Sequence, residues 1–325
     1  MKGMIKYLLF SCLLFISSAY ASDIRVGIGR KTITPEIRSF MTGYAGRNKP
    51  AEGKIHDLWA KALVLEESPG QRLIIVTTDI LGLSHEISED VAKRLLTKYG
   101  INRSQLLMNS SHTHSGPMIW PALSVIADYS PADQQLVSQY THKLTEDIVA
   151  VIDMAIADLK PMKVSSGHGN AEFAMNRRQP TEKGIINGVN RNGPVDKDVP
   201  VLKIESPSGK IEAVLFLYAC HNTTIQGDNY LFNGDYAGYA QIELEKAYPG
   251  ATAMFMMGCG GDQNPYPRGT VKLAEEHGKS LALAVEKALE GPLQSVNSPI
   301  RTDYSIVDLD FLPFNTETYQ KDITG

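Results

Sequence analysis

The sequence predicts an α/β fold with a mixed β-sheet core flanked by helices, in a single large domain. Three observations favour this class. The 325 residues contain 43% hydrophobic and 21% charged residues, as expected of a chain that buries a core. Strand-like segments are followed by segments with helical spacing of apolar residues. Two pairs of apolar runs are separated by short Ser/Pro/Gly turns, which indicates hairpins and therefore antiparallel strands within the sheet.

The first half of the chain carries clear start and stop signals. The turn Ser68-Pro69-Gly70 separates two apolar runs and predicts a hairpin. Ser84 begins a helical pattern that Gly100 ends, as expected of an N-cap and a C-terminal glycine. The predicted strands of this half are Ile24–Ile28, Ala60–Glu66, Arg72–Asp79 and Leu106–Asn109.

The second half begins with the longest predicted helix. Ser130 is the expected N-cap, Pro131 occupies the first helical position, and apolar residues recur at four-residue spacing up to Ile156. A second hairpin is predicted around Ser206–Gly209. The remaining predicted elements are the strands Val199–Glu205, Ile211–Ala219 and Ala251–Met257 and the helices Ala237–Tyr248 and Gly269–Leu289.

The N-terminus has the features of an export signal. Lys2 and Lys6 precede the apolar run Tyr7–Ile16, and Ala19-Tyr20-Ala21 follows as a small-x-small cleavage site. We therefore predict a signal peptide over residues 1–21 and a secreted or periplasmic protein. No later segment approaches the ~18 apolar residues that a membrane span needs.

The charge balance and the cysteines exclude several classes of protein. Lys and Arg total 32 against 36 Asp and Glu, a net charge of -4, so nucleic acid is not expected as a partner. After removal of the signal peptide, Cys220 and Cys259 remain. Two cysteines are too few for a disulfide scaffold, and they could form one disulfide or remain buried thiols.

Polar residues follow the ends of several predicted strands. Asp79 ends one strand, His112 and His114 follow another, His221 ends a third, and Asp262 follows a fourth through a glycine-rich stretch. Sites in open α/β sheets are built from residues just beyond the carboxyl ends of strands. We therefore expect these five residues to lie around one pocket.

The pair His112-Thr113-His114 is the sharpest local signal for chemistry. On an extended backbone, residues two apart point the same way, so both imidazoles would face one cavity. The two rings could share one metal ion, or one could bind the metal while the other faces a substrate. Neutral imidazole is a good ligand for Zn²⁺. No Gly-x-Ser-x-Gly nucleophile motif and no P-loop occurs.

Several further stretches connect these residues to a known family. They are Met41–Ala45, Gly53–Ala62, Thr78-Asp79, Ser111–Pro117, Met175–Arg178, His221 with Asn233–Ala240, and Gly261–Pro265. In this order they resemble the N-terminal catalytic region of the neutral/alkaline (non-lysosomal) ceramidase family, over essentially the whole mature chain. Ser-His-Thr-His-Ser-Gly-Pro is the most specific part.

The resemblance implies an activity and roles for the residues that carry it. Family members are zinc amidases that cleave the amide of N-acylsphingosines. By resemblance, His112 and His221 would be zinc ligands. His114 would face the substrate to stabilise or protonate the reacting group, and Arg177 would lie near the scissile amide. The supporting residues, without an assigned role, would be Asp79, Asp235 and Asp262.

The sequence departs from the family pattern at its end. The family's other zinc ligands are a Glu and a Tyr from a later part of the chain, and no such segment precedes Gly325. Because Tyr304–Leu312 reads as a new strand, we expect residues 22–325 to be an N-terminal domain that is incomplete at its C-terminus. The alternative is that one of the three aspartates completes the metal site.

The resulting expectation is a secreted Zn²⁺-dependent hydrolase that converts ceramide to fatty acid and sphingosine. Two alternatives remain open: a hydrolase of the same fold acting on another amide or ester, and a non-catalytic remnant without the complete metal site. The expected partner is a lipid or small-molecule substrate. Membrane contact is expected to be peripheral at most. No amphipathic docking helix is obvious, which keeps the broader hydrolase open.

Overall fold

The computed structural model describes residues 24–36, 39–122 and 129–310, so the predicted signal peptide lies outside the described residues. The helices are α1 (His85–Tyr99), α2 (Pro131–Ala157), α3 (Asp235–Ala247) and α4 (Val271–Glu290), with a 3₁₀ turn at Arg103–Gln105. The strands of the first half are β1 (Arg25–Thr32), β2 (Gly53–Lys54), β3 (Trp59–Ser68), β4 (Gln71–Thr78), β5 (Leu106–Ser110) and β6 (Lys160–Pro161). The later strands are β7 (Lys163–Asn170), β8 (Ala174–Asn176), β9 (Arg178–Thr181), β10 (Gly184–Asn187), β11 (Asp198–Glu205), β12 (Ile211–Tyr218), β13 (Leu231–Phe232), β14 (Thr252–Met257), β15 (Gln263–Pro265) and β16 (Gln294–Ser295).

The long strands form two five-stranded sheets within the described residues. Their strand orders are β5-β4-β3-β1-β6 and β14-β12-β11-β7-β16. In each sheet one pair is parallel, β4 with β5 and β12 with β14, and the other pairs are antiparallel. The predicted mixed sheet flanked by helices is therefore confirmed, in the form of two sheets.

The two sheets repeat a single topology. Taken in chain order, β1, β3, β4, α1, β5, α2 and β6 correspond to β7, β11, β12, α3, β14, α4 and β16. The first strand of each set carries a Gly-x-Gly that a helix backbone crosses closely. A Cβ at Gly29 would lie 2.1 Å from the carbonyl oxygen of Val151, and one at Gly169 would lie 2.4 Å from that of Ala284. No sequence repeat indicates this duplication.

Three apolar clusters stack the elements into layers. One lies between α1, α2 and the first sheet, one between the two sheets, and one between the second sheet and α3 and α4. The cluster between the sheets includes Val26, Leu63, Ile204 and Met254. Because both sheets are covered on both faces, their strand ends are the places left for a site.

Most local signals of the sequence are confirmed. Ser84 caps α1 by accepting a hydrogen bond from the Ile87 amide, and Gly100 ends the helix at a φ of 67°. The strand expected at Tyr304–Leu312 is wrong over residues 304–310, and its last two residues lie outside the described part. No helix among the described residues is long and apolar enough to cross a membrane.

Candidate metal centre

The carboxyl ends of the two parallel strand pairs meet at one place. The side chain of Asn109, on edge strand β5, donates to the Met257 carbonyl at 3.0 Å and accepts from the Met257 amide at 2.8 Å. These two hydrogen bonds join β5 to β14, an edge strand of the other sheet. The loops that follow β5 and β12, which carry His112 and His221, therefore lie side by side.

Three imidazoles form a cluster in these loops. One nitrogen of each of His112, His114 and His221 lies within 4.8 Å of the others. The ring centroids of His112 and His221 are 4.7 Å apart, and those of His112 and His114 are 5.0 Å apart. Over residues 24–36, 39–122 and 129–310, these three are the side chains placed to share a metal ion. The structure thus brings together both histidines of the His-x-His pair and the distant His221.

The hydrogen bonds of two of these rings leave a defined nitrogen free. Nδ1 of His112 is 2.7 Å from the Leu81 carbonyl oxygen, and Nδ1 of His221 is 2.7 Å from the Gly260 carbonyl oxygen. A carbonyl can only accept, so each Nδ1 carries the proton and each Nε2 keeps its lone pair. Metal-binding histidines are oriented in this way by a carbonyl or carboxylate behind the ring.

His114 has no such well-formed hydrogen bond, although the Gly43 backbone lies near enough to the ring to act as a weak acceptor. Its Nδ1 is buried without a hydrogen-bond partner, and its Nε2 is 3.4 Å from Nε2 of His112. Packing holds the ring instead: Gly43 approaches so closely that a Cβ there would lie 2.6 Å from the ring, and the Tyr44 ring meets it edge-on at 5.1 Å. The His114 ring is therefore placed mainly by packing contacts, and neither nitrogen makes a well-formed hydrogen bond to a carbonyl.

A buried asparagine fixes the loop that carries the His-x-His pair. The Asn222 side chain donates to the Ser111 carbonyl and accepts from the Ala237 amide at 3.2 Å, and the Asn222 carbonyl accepts from the His114 amide at 3.2 Å. His112 itself adopts a left-handed backbone at φ 59°, which is uncommon outside glycine and needs such support.

A buried arginine holds the loop from the other side. The Arg47 guanidinium donates to the carbonyls of Thr42 at 2.9 Å, His114 at 2.5 Å, Asn229 at 3.1 Å and Gly227 at 3.3 Å. Carbonyls satisfy its donors without neutralising its charge. Arg47 thereby joins the loop that contains Thr42 and Gly43 to the loop after β12.

The side chain of Arg177 is held near the cluster by the neutral side chain of Asn264. Its guanidinium donates to Oδ1 of Asn264 at 3.4 Å, its amide donates to the Asp262 carbonyl at 2.7 Å, and its Nε is buried without a partner. Oδ1 of Asn264 also accepts from the hydroxyl of Thr223, two residues after His221. An amide partner leaves the positive charge of the guanidinium available to a ligand.

Two of the aspartates singled out by the sequence, Asp79 and Asp235, accept from backbone amides, whereas the Asp262 carboxylate accepts from the Asn176 side chain at 3.4 Å. Asp79 accepts from the Trp59 amide at 3.0 Å and from the Gln241 side chain at 3.2 Å. Asp235 begins α3 at a φ of 53° and accepts from the Ile225 amide at 2.8 Å. Burial raises the pKa of both carboxyls. The metal-capable cluster of the described residues includes none of Asp79, Asp235 and Asp262.

The electrostatics of the cluster favour neutral rings. Burial, with the charges of His112 and His221, lowers the pKa of His114 to about 3. Burial, with the charge of Arg177 among the further causes, lowers the pKa of His221 to about 4. Burial and the charges of Arg178 and Arg268 also lower the pKa of Arg177. Neutral imidazole is the form that binds a metal ion.

Comparison with known proteins places the chain in a family. Residues 24–280 match the family described as neutral/alkaline non-lysosomal ceramidase, N-terminal. The chain belongs to this family.

Named relatives agree with the family. The chain is 29% identical to the neutral ceramidase of Pseudomonas aeruginosa over 248 residues, covering 73% of this chain and 36% of that protein. It is 27% identical to neutral ceramidase B of Dictyostelium discoideum over 274 residues, covering 78% of this chain and 37% of that protein. The chain thus spans little more than a third of these ceramidases.

Solved structures share the fold. A ceramidase complexed with C2 superposes with a TM-score of 0.72 at 24% identity, covering 85% of this chain and 45% of that chain. The neutral ceramidase of Pseudomonas aeruginosa superposes with a TM-score of 0.71, also at 24% identity, covering 85% and 46%.

Sequence reasoning missed the residues that support this ceramidase-family site from behind. Arg47, Asn222 and Asn264 act on backbone carbonyls or on other side chains, and such roles leave no local pattern. The available signals were indirect: Arg47 follows the motif Met41–Ala45, and Asn222 follows His221 directly. The two cysteines are free thiols, Cys220 buried and Cys259 exposed, so neither open alternative fits fully.

Proposed function

We propose that this chain is a zinc-dependent amidohydrolase that cleaves the amide of N-acylsphingosines to fatty acid and sphingosine. The observation that carries the proposal is the difference among the three clustered histidines. Two present an Nε2 lone pair fixed by a carbonyl 2.7 Å behind the ring, and the third makes no well-formed hydrogen bond of this kind. The neutral ceramidases among its relatives support this substrate class.

The cluster fits a zinc ion. His112 and His221 would hold it through Nε2, as part of the three-ligand set that a catalytic zinc usually has. The donor set consists of imidazole nitrogens, which suit Zn²⁺ better than Ca²⁺ or Mg²⁺. When bound, the ion would polarise the amide carbonyl and make a nearby water more acidic.

His114 would transfer the proton, and Arg177 would stabilise the negative charge that develops on the substrate oxygen. Hydrolysis adds a water oxygen to the amide carbon, breaks the C–N bond and needs a proton on the departing amine. His114 would take the proton from the water and give it to the amine nitrogen. Arg177, whose Nε is buried without a partner, would donate to the oxygen that gains negative charge.

We also propose that the protein is exported. The charged, apolar and small-residue segments of residues 1–21 have the order of a signal peptide, and we assign the protein to the periplasm or the extracellular space. The N-terminal residue of the exported protein tests this directly, since cleavage after Ala21 would leave Ser22 first.

The experiment compares His112→Ala, His221→Ala and His114→Ala. We expect the first two variants to lose zinc and hydrolysis together. His114→Ala should keep zinc and lose about 10²–10⁴-fold in rate, the usual contribution of a positioned acid or base. Zinc is measured by elemental analysis, and hydrolysis by fatty acid released from a fluorescent ceramide. Equal zinc loss in all three variants would make His114 a ligand.

The control and the substrate panel separate the alternatives. His142→Ala removes an exposed imidazole on α2 and should change neither zinc content nor rate. Zinc binding with hydrolysis of other amides or esters, but not of ceramide, would favour the broader hydrolase. A folded wild-type chain that binds no zinc would favour the non-catalytic remnant.

A further inference from the structure

A two-stranded ribbon projects next to the candidate site. Directly after Arg177, β9 and β10 pair only with each other and join neither five-stranded sheet. Ile185 pairs with Pro180 and is 69% exposed, and Ile186 pairs with Gln179 and is 48% exposed. Two adjacent exposed isoleucines on a thin ribbon are an unusual use of large apolar side chains in water.

The exposed apolar surface extends beyond the ribbon. Val189 and Tyr266 are both exposed, and both line an open groove of about 760 Å³ beside β9. The Arg191 guanidinium lies over the Tyr266 ring, 5.3 Å from its centroid. The ribbon and the groove beside it therefore combine exposed apolar side chains with exposed positive charge.

The charge of this segment is opposite to that of the whole chain. Residues 177–191 contain Arg177, Arg178, Lys183 and Arg191 against the single acidic residue Glu182, which gives four minus one, or +3, where the whole chain has -4. Arg178, Lys183 and Arg191 are all exposed. Such a local excess of positive charge attracts an anionic surface.

Hydrogen bonds connect the base of the ribbon to the candidate site. The Gly188 amide donates to the Arg177 carbonyl at 2.9 Å, and the Asn264 side chain donates to Oδ1 of Asn187 at 3.3 Å. Asn264 is also the partner of the Arg177 guanidinium. A surface that holds the ribbon would therefore lie beside the site that we propose for the amide.

We propose that the β9–β10 ribbon docks this protein on an anionic lipid surface. The isoleucines would enter the interface, and Arg178, Lys183 and Arg191 would contact the acidic headgroups. The two isoleucines are adjacent in β10 and point to opposite faces of the ribbon. A flat protein partner would cover one face, whereas a lipid interface surrounds the tip. The proposal rests on the proposed function only in taking the substrate to be a membrane lipid.

The test measures binding to vesicles, which needs no catalysis. We expect the chain to cosediment with phosphatidylcholine vesicles containing phosphatidylserine, more weakly at high salt, and to bind pure phosphatidylcholine poorly. The double variant Ile185→Ser, Ile186→Ser should lower the partition constant by at least about tenfold, the loss expected for one isoleucine. Lys183→Gln should lower it about fivefold.

Matched controls lie on α1, in the other half of the molecule. Leu96→Ser removes an exposed leucine and Lys93→Gln an exposed lysine, and both should bind vesicles as the wild type does. A tryptophan introduced by Ile186→Trp should be quenched by brominated lipid. Thermal melting checks that each variant is folded.

Three outcomes would overturn the docking proposal: no vesicle binding, equal losses in the control variants, or self-association through the ribbon without vesicle binding. Hydrolysis is scored separately. Ribbon variants should retain activity on a water-soluble short-chain amide, because they leave the histidines intact. A chain that docks but hydrolyses nothing contradicts the proposed function and leaves the docking proposal standing.

Discussion

Gly43→Ala should displace His114 without touching the proposed metal ligands. Gly43 has a φ of 101°, and a Cβ built on it would lie 2.6 Å from Cγ and 2.7 Å from Nδ1 of His114. His112 and His221 are held from behind by the Leu81 and Gly260 carbonyls. The variant should therefore separate the placement of His114 from metal binding.

The contact distances set the size of the effect. Carbon atoms pack at about 3.5–4.0 Å, so the ring must move by roughly 1 Å to admit the new methyl group. A displacement of 1 Å in a reacting group costs about 10²-fold in rate. The positive φ should add about 1–3 kcal/mol of strain, and the overpacked contact about 1–3 kcal/mol. We expect about 10²-fold lower ceramide hydrolysis and a free energy of unfolding lower by about 2–6 kcal/mol.

Two other glycines isolate the separate contributions. Gly70 has a φ of 87° with no atom within 4 Å of a built Cβ, so Gly70→Ala measures the backbone strain alone. Gly46, three residues after Gly43, also has open space around its Cβ, and its φ is outside the positive range. Gly46→Ala should leave stability and activity nearly unchanged.

The assay combines turnover of a fluorescent ceramide, zinc content and urea unfolding for all three variants. Gly43→Ala with wild-type turnover would mean that the position of the His114 ring is unimportant. Loss of zinc in Gly43→Ala, in a chain that remains folded, would mean that His114 binds the metal. A stability loss equal to that of Gly70→Ala would mean that the ring moves at no cost.

Three further predictions concern His56, Asn222 and the two cysteines. Burial lowers the pKa of His56 from 6.5 to about 4, so the unfolded chain takes up this proton first and stability falls as pH drops from 6.5 to 4. His56→Gln should remove up to about 3 kcal/mol of that fall, measured by urea unfolding at each pH; an unchanged slope would contradict it. Asn222→Ala leaves two buried backbone groups without their side-chain partner and should lower the free energy of unfolding by about 2–4 kcal/mol in the same assay. A loss below about 1 kcal/mol would contradict this supporting role of Asn222. In the chain beginning at residue 22, a thiol reagent should label Cys259 in the native state and Cys220 only after unfolding, whereas a disulfide would protect both.

Local signals in the sequence predicted the elements that local physics decides. Ser84, Gly100 and Ser130 satisfy helix-end groups through their own side chain or backbone, so the sequence reveals them directly. The strand β7, Lys163–Asn170, was not predicted because its polar and glycine residues show no clear alternation. Gly169 is explained by the α4 backbone, which crosses it at Ala284, and Gly167 by the Leu293 side chain; neither contact is visible in the sequence.

The residues of the candidate site also separate into those that a local sequence pattern reveals and those that only the folded chain brings together. His112 and His114 were visible as a pattern because both follow the same strand and are two residues apart. Arg47 and Asn222 were not, because each acts on carbonyls that distant segments bring into reach only in the folded chain. Asp79 and Asp235 were visible at a strand end and a helix start, and their carboxylates accept from the amides of Trp59 and Ile225.

The duplicated topology explains why the site could not be recognised as a repeat. In the first half, the loop after β4 supplies the Leu81 carbonyl and the loop after β5 supplies His112. In the second half, the loop after β12 supplies His221 and the loop after β14 supplies the Gly260 carbonyl. Each parallel strand pair thus provides one carbonyl and one imidazole held by the carbonyl of the same pair, but equivalent loops exchange these roles. Equivalent positions therefore need different residues, while the Gly-x-Gly of β1 and β7 recurs because a helix makes the same close approach in both halves.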